Sequence, residues 1–146
     1  MTPEEHRALG VELYNKTWEL LEEGAAPDVI VHAAHASAYH WQQAPHTVAN
    51  TARSQWLCSH VYAVLGRPEP ALHHAERCLA VVRGSPAEME DFDLPSAYEG
   101  LARAHAAAGN ADEARRYVEL ARAEAAKMTD AEDREHIETQ LASVIT

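Results

Sequence analysis

The sequence predicts an all-α protein in which about three antiparallel helix pairs stack in one domain and a C-terminal helix caps them. Alanine, the best helix former, is the commonest residue, and few stretches are rich enough in β-branched or aromatic residues to form strands. Apolar residues make up 47% of the 146 residues, which is enough for a folded core. Gly24, Gly66 and Gly109 fall between predicted helices at spacings of 42 and 43 residues, which indicates a repeated helix pair.

The first predicted pair begins at Thr2–Glu5. This segment has the capping-box pattern, a hydroxyl residue followed three positions later by Glu, with Pro at the first helical position. Helix 1 should run to about Leu21–Glu23 and end at the first of the three glycines. Helix 2 should follow Pro27–Asp28 and carry Val29–Trp41, and Gln42–His46 should form a loop.

Glycine and proline also set the limits of the later helices. Two prolines in the first turn of helix 4 cost little, because the N–H that each lacks would be unpaired there anyway. The acidic stretch Ser85–Leu94 should hold a short turn or the start of helix 5. A second capping-box pattern, Thr129–Glu132, should open helix 7. The apolar stripe of helix 7 comprises Ile137, Leu141, Val144 and Ile145. The other helices are expected at Val48–Leu65, Pro68–Val82, Pro95–Ala108 and Ala111–Lys127.

Small residues recur at matching positions when the chain is aligned on the three glycines. The coinciding sets are Ala33 with Ala75 and Val118, and Ala36 with Cys78 and Ala121. Tyr62 and Tyr98 add an aromatic residue before the turn glycine in the second and third frames. This arrangement resembles the tetratricopeptide repeat, a helix–turn–helix unit. The resemblance is clearest over Arg53–Arg83 and Pro95–Ala126, and it is weaker in the first frame.

The sequence also departs from that family. The family's period is 34 residues, so the additional residues here should lie in the loops that join one pair to the next. The family's proline near the end of each unit is not in register. A plain bundle of six or seven helices is therefore the alternative architecture. If the repeat interpretation holds, helix 7 covers the last exposed apolar face.

The formal net charge of −11 and the pI of about 5.3 oppose binding to nucleic acid or to anionic lipid. An acidic surface keeps a protein soluble more often than it attracts a basic partner. The N-terminal residues lack a basic head and an apolar segment, and no stretch is apolar enough to span a membrane, so a cytoplasmic protein is expected. Cys58 and Cys78 form no metal-binding or redox motif and fall at small core positions.

The resemblance to tetratricopeptide repeats implies a concave groove, which the first helix of each pair lines and in which that family holds extended peptides. The residues carried over to this surface are Tyr14, Trp18, Arg53, Trp56, His60, Ser96, Glu99 and Arg103. Aromatic residues beside arginine are typical of binding hot spots. Two other interpretations stay open. The aromatic residues could be core, and Glu99 with Arg103 could be a solvated i, i+4 pair.

A histidine cluster supports a rival prediction, a site for a divalent metal such as zinc. His32 and His35 lie one turn apart on helix 2, a spacing that can place two imidazoles on one metal. His40 points about 80° away from His32, so it would need distortion or another partner. The third ligand would then come from His6, Glu12, His60 or His74. The alternative is that these histidines are hydrogen-bonded helix residues. If they do bind a metal and one coordination position stays open, the protein would be a metalloenzyme.

No motif in the sequence specifies a reaction. A phosphate loop and a dinucleotide fingerprint are absent, and no histidine is spaced to activate a serine or cysteine nucleophile. We therefore expect a binding module for a protein or peptide segment, or for a small ligand, without a bound cofactor. The first pair has the poorest repeat pattern, and an apolar patch left on it would allow a two-fold contact in a homodimer.

Overall fold

A computed structural model describes residues 1–144, which form seven α-helices and one short 3-10 helix and contain no β-strand. The all-α prediction is confirmed. The helices are α1 (Pro3–Glu23), α2 (Pro27–Gln43), α3 (Val48–Val64), α4 (Pro68–Gly84), α5 (Asp93–Ala107), α6 (Ala111–Ala125) and α7 (Ala131–Ala142). The 3-10 helix, Pro86–Glu88, lies in the acidic stretch, and α5 begins two residues before the predicted Pro95.

Local hydrogen bonds explain where the helices begin. Thr2 and Glu5 form the predicted capping box, in which Glu5 N–H donates to Thr2 Oγ1 (3.1 Å) and Thr2 N–H donates to Glu5 Oε2 (2.9 Å). Thr47 makes a similar box at the start of α3. The prediction that Thr129 caps α7 is wrong by one residue. Asp130 is the cap, because its carboxylate accepts from the Asp133 N–H (2.9 Å) three positions on.

The three spaced glycines end the first helix of each pair, and all three are left-handed, with φ of 67°, 73° and 79°. A residue with a side chain is strained in that conformation, so glycine is favoured there. The turn is tight enough that each following helix packs back on the one before it. The tightest packing is therefore within the pairs α1/α2, α3/α4 and α5/α6.

Successive pairs pack through α2 on α3 and α4 on α5, and the first helices α3 and α5 also meet directly. Small buried residues such as Ala75 and Ala121 let the helix axes approach closely. The last helix, α7, packs on α5 and α6 and buries Ile137 and Leu141, as expected of a capping helix. Ile145, which we also assigned to that stripe, lies outside the described residues. No helix within residues 1–144 has an apolar stretch of the length needed to cross a membrane.

Candidate functional site: a central groove

A groove of about 760 Å³ opens between α1, α3, α5 and α7, and we call it the central groove. Most of the residues predicted to form a concave surface lie along it. They are Tyr14, Trp18, Arg53, Trp56, His60, Ser96 and Arg103. The remaining one, Glu99, lies behind this wall and is fully buried. The first helices of the three pairs thus line one groove, and α7 forms its other side through residues such as His136 and Gln140.

Three mutually packed aromatic rings form part of the groove wall, and those of Trp56 and His60 are stacked. The ring of His60 lies 5.0 Å from that of Trp18 and 5.0 Å from that of Trp56, and the two indoles are 5.9 Å apart. Trp56 is buried and Trp18 is half-buried, so Trp56 belongs both to the core and to the groove wall. Gly100 permits this arrangement, because a Cβ there would stand only 3.3 Å from the Trp56 ring.

Glu99 holds two groove residues from behind. Its Oε1 accepts from the Trp56 indole N–H (3.1 Å), and its Oε2 accepts from Arg103 Nε (2.9 Å). Burial raises the pKa of Glu99, while Arg103 and the two hydrogen bonds oppose that rise. The alternative of a solvated surface pair is wrong for Glu99, because no part of this side chain reaches solvent. Its role in the fold is to set the position of an indole and a guanidinium at the groove wall.

Arg103 links α5 to the end of α7. Besides its bond to Glu99, its Nη2 donates to the Gln140 carbonyl (3.0 Å) and to Ser143 Oγ (2.7 Å). The side chain is 16% exposed, so the guanidinium is largely desolvated yet still borders the groove. A charge in that position interacts with a bound group more strongly than a charge in water would.

A second buried carboxylate, Asp93, orients Arg53 near the start of α5. Arg53 Nε and Nη2 donate to the two oxygens of Asp93 at 3.1 and 3.0 Å, and the Glu90 N–H donates to Oδ2 (2.8 Å). The Arg53 guanidinium also lies 4.8 Å from the centre of the Phe92 ring. Sequence reasoning placed Arg53 in the groove but missed Asp93, Phe92 and the contribution of α7.

The spacing of the repeats could have predicted two of the hydrogen-bonded pairs in the groove wall. The pairs Arg53–Asp93 and Trp56–Glu99 are separated by 40 and 43 residues, close to the spacing of the turn glycines. Residues one period apart occupy corresponding positions on α3 and α5, and these two helices pack side by side. Polar residues one period apart could therefore have been paired from the sequence.

His60 is the most unusual polar group of the groove. It is 8% exposed, and its Nδ1 is buried without a hydrogen-bond partner among residues 1–144. Burial, together with the positive charge of Arg103, lowers the pKa of His60 to about 3. The imidazole is therefore neutral at physiological pH, with one nitrogen protonated and the other free to accept.

The histidines of α2 have separate partners. His35 Nε2 lies 2.9 Å from the Tyr62 hydroxyl, and the ring of His74 lies 5.4 Å from that of His35. His40 Nδ1 lies 2.8 Å from His6 Nδ1, while His32 is exposed. Among residues 1–144, no three His, Cys, Asp or Glu side chains are grouped so that they could hold a metal ion. The metal site of His32, His35 and His40 stays a prediction.

Comparison of the chain with protein-family models, with curated proteins and with solved structures gave no match. The class that the described residues define is an all-α protein of packed helix pairs with a groove along their first helices.

Proposed function

We propose that this protein is a binding module of tetratricopeptide-like type, which holds a small organic ligand in the central groove. One observation carries the proposal. A groove of about 760 Å³ joins a wall of three packed aromatic rings to two oriented guanidinium groups. Binding sites for small molecules are mostly apolar clefts of about 300–1,000 Å³ with a few placed polar groups. The first helix of each pair contributes to the wall, which supports the likeness to tetratricopeptide repeats.

The position of α7 favours a small ligand over an extended peptide. In an open repeat groove, a peptide can lie along the concave face and leave at both ends. Here Ile137 and Gln140 of α7 face the groove from the side opposite α1, and Arg103 ties the end of α7 to α5. The groove is therefore bounded on that side. A short peptide segment is the second occupant that the experiment below distinguishes.

The residues of the groove suit binding better than covalent chemistry. Burial raises the pKa of Cys78, which borders the groove, to about 12, so its thiol is not a ready nucleophile. His60 has a pKa of about 3 and is a weak base at neutral pH. The carboxylates of Asp93 and Glu99 are both held in pairs with arginine. None of these groups is therefore prepared for covalent catalysis, and the arginine pairs instead fix the position of the side chains that line the groove.

NMR spectroscopy of the three tryptophan indole N–H groups tests the proposal. Trp18 and Trp56 lie in the groove wall, whereas Trp41 packs on Gly10 of α1 and lies outside the groove. A set of small aromatic and apolar fragments, and a set of short peptides, would each be added to the protein. We expect fragments to shift the signals of Trp18 and Trp56 and to leave that of Trp41 in place.

A matched pair of variants on α7 controls for non-specific binding. Thr139 is exposed and lines the groove, whereas its neighbour Glu138 is exposed and does not. Adjacent helix positions point about 100° apart, so Thr139→Phe should obstruct the groove and Glu138→Phe should not. Equal binding to both variants, or fragment shifts confined to Trp41, would contradict the proposed site. Shifts with peptides alone would favour the peptide occupant.

A further inference from the structure

The central groove holds hydrogen-bond donors that have no acceptor among residues 1–144. Arg103 donates from Nε and Nη2, but its Nη1 has no acceptor among residues 1–144. His60 lines the same groove as Arg103, and its Nδ1 is enclosed. Its Nε2 also has no hydrogen bond among residues 1–144 but is not shut away from solvent, so Nε2 is the atom that a bound molecule can reach. A neutral imidazole can carry its proton on that nitrogen and donate it.

The buried carboxylates of the same region are already paired. Both oxygens of Glu99 accept from groove residues, Trp56 and Arg103. Both oxygens of Asp93 accept from Arg53. The buried carboxylates thus lie behind the wall, and the guanidinium groups lie in front of them. A ligand at the centre of the groove meets unused donors and a positive charge, which complement an acceptor with negative charge.

The aromatic wall lies directly beside these donors. The ring of Trp18, half-buried, is 5.0 Å from that of His60 and leaves part of its surface facing the groove. Aromatic pairs are favourable in offset-stacked arrangements with ring centres about 4.5–7 Å apart. A flat ring that lies against Trp18 would therefore bring a substituent at its edge close to His60, in the groove that Arg103 also lines.

We propose that the central groove binds a planar aromatic molecule that carries a carboxylate. The carboxylate accepts hydrogen bonds from Arg103 Nη1 and His60 Nε2, and the aromatic ring stacks on Trp18. This inference rests on the proposed function, since it names the ligand class of the same groove. It adds that the groove recognises both the charge and the ring of the ligand, and that Arg103 and His60 recognise the charge.

The acidic surface of the protein sets a competing expectation. Two carboxylates that border the groove, Glu22 and Asp133, are exposed, and the chain has a net charge of −11. A cationic aromatic ligand would be attracted by them. However, exposed charges are screened by water and salt within about 8–10 Å, whereas Arg103 is 16% exposed. The short-range interaction at the partly desolvated guanidinium should therefore decide the preference.

Three probes with the same ring system separate these expectations: naphthoate, naphthamide and naphthylmethylamine, which are anionic, neutral and cationic. Their affinities would be measured by isothermal titration calorimetry, with the indole N–H signals as the report of location. We expect naphthoate to bind roughly tenfold more tightly than naphthamide, because a charge-assisted hydrogen bond replaces a neutral one. The amine should bind most weakly. Naphthoate should shift the Trp18 and Trp56 signals and not that of Trp41.

Two variants locate the carboxylate. His60→Phe keeps a ring in the stack and removes the donor, along with a buried nitrogen that lacks a partner. Arg103→Lys keeps the charge and removes the guanidinium fork. Each should weaken the binding of naphthoate more than that of naphthamide, and so reduce the preference for naphthoate several-fold. Arg116→Lys is the control, since Arg116 is exposed on α6 and does not border the groove. Circular dichroism would establish that each variant is folded.

The outcomes separate this inference from the proposed function. Equal or tighter binding of naphthamide or of the amine overturns the carboxylate preference, while the groove remains a ligand site. The same holds if none of the three probes binds although fragments shift the Trp18 and Trp56 signals. A preference that survives in both His60→Phe and Arg103→Lys overturns the assigned position. If neither fragments nor probes shift those two signals, the proposed function itself fails.

Discussion

Removal of the Glu99 carboxylate should be one of the most damaging single changes to this fold. The side chain is fully buried and accepts from two donors, the Trp56 indole N–H and Arg103 Nε. The variant Glu99→Ala leaves both donors without an acceptor and opens a cavity between α3 and α5. Breaking a buried charge pair by removing one partner costs about 3–5 kcal/mol.

The structure places Glu99→Ala at the lower end of that range. Arg103 keeps its bonds to the Gln140 carbonyl and to Ser143, and it is 16% exposed, so its charge is not left wholly uncompensated. We therefore expect a loss of about 3 kcal/mol in the free energy of unfolding. For a chain of this size, the melting midpoint should fall by roughly 6–12 °C. The isosteric Glu99→Gln retains one acceptor and should lose about 1–3 kcal/mol.

Urea unfolding followed by circular dichroism measures these losses, and Glu138→Ala is the matched control. Glu138 is exposed on α7, so its replacement should change the free energy of unfolding by less than about 0.5 kcal/mol. The Trp56 indole N–H signal should also move in both Glu99 variants, because its acceptor changes. If Glu99→Ala is as stable as Glu138→Ala, then Glu99 does not hold Trp56 and Arg103 in the groove wall.

Three further predictions concern other parts of the molecule. Because the pKa of His60 is lowered to about 3, the folded chain binds fewer protons there than the unfolded chain below about pH 6.5, so stability should fall with decreasing pH from about 6.5 to 3. His60→Phe should remove up to about 1.4 kcal/mol per pH unit of this dependence, measured by urea unfolding at several pH values. A wild-type slope in the variant would contradict the assignment. Ala75→Phe should overpack the second helix pair and cost roughly 1–3 kcal/mol or more, because Ala75 is 1% exposed, whereas Ala80→Phe on the exposed side of α4 should be nearly neutral. Equal melting midpoints for these two variants would count against the packing of α4 described above. The metal hypothesis for His32 and His35 predicts stoichiometric metal in untagged protein and a melt that drops by several degrees with a chelator. Metal-free protein with an unmoved melt would reject it.

Much of the groove could be anticipated once the repeat spacing was recognised. Trp18, Arg53 and Trp56 lie on the first helices of their pairs, and the structure places all three on the groove wall. The roles of individual residues could not be anticipated in the same way. Glu99 has the i, i+4 spacing of an ordinary surface pair with Arg103, yet it is buried behind the wall. The spacing of residues along a helix specifies which of them share a face, but the neighbouring helices decide whether that face is exposed to solvent.

The histidines show the same division. The i, i+3 spacing of His32 and His35 places them on adjacent turns of α2, which favoured a shared metal. The partners that the structure supplies come from elsewhere in the chain: Tyr62 and His74 lie against His35, and His6 lies against His40. The spacing of residues within one helix predicts which of them share a face, but it does not predict which residues of other helices they contact.

The sequence by itself determined the helical class, the number of helices and, to within about two residues, their limits. These depend on interactions within a few residues: alanine propensity, capping boxes and left-handed glycines. The tertiary structure alone decided that the capping helix α7 forms a side of the groove, that Glu99 is buried behind the groove wall, and that His60 packs against two indoles with a nitrogen that has no partner among residues 1–144. The physical reason is that desolvation and hydrogen-bond satisfaction depend on which helices meet. That outcome is set by the packing of the whole chain rather than by any local segment.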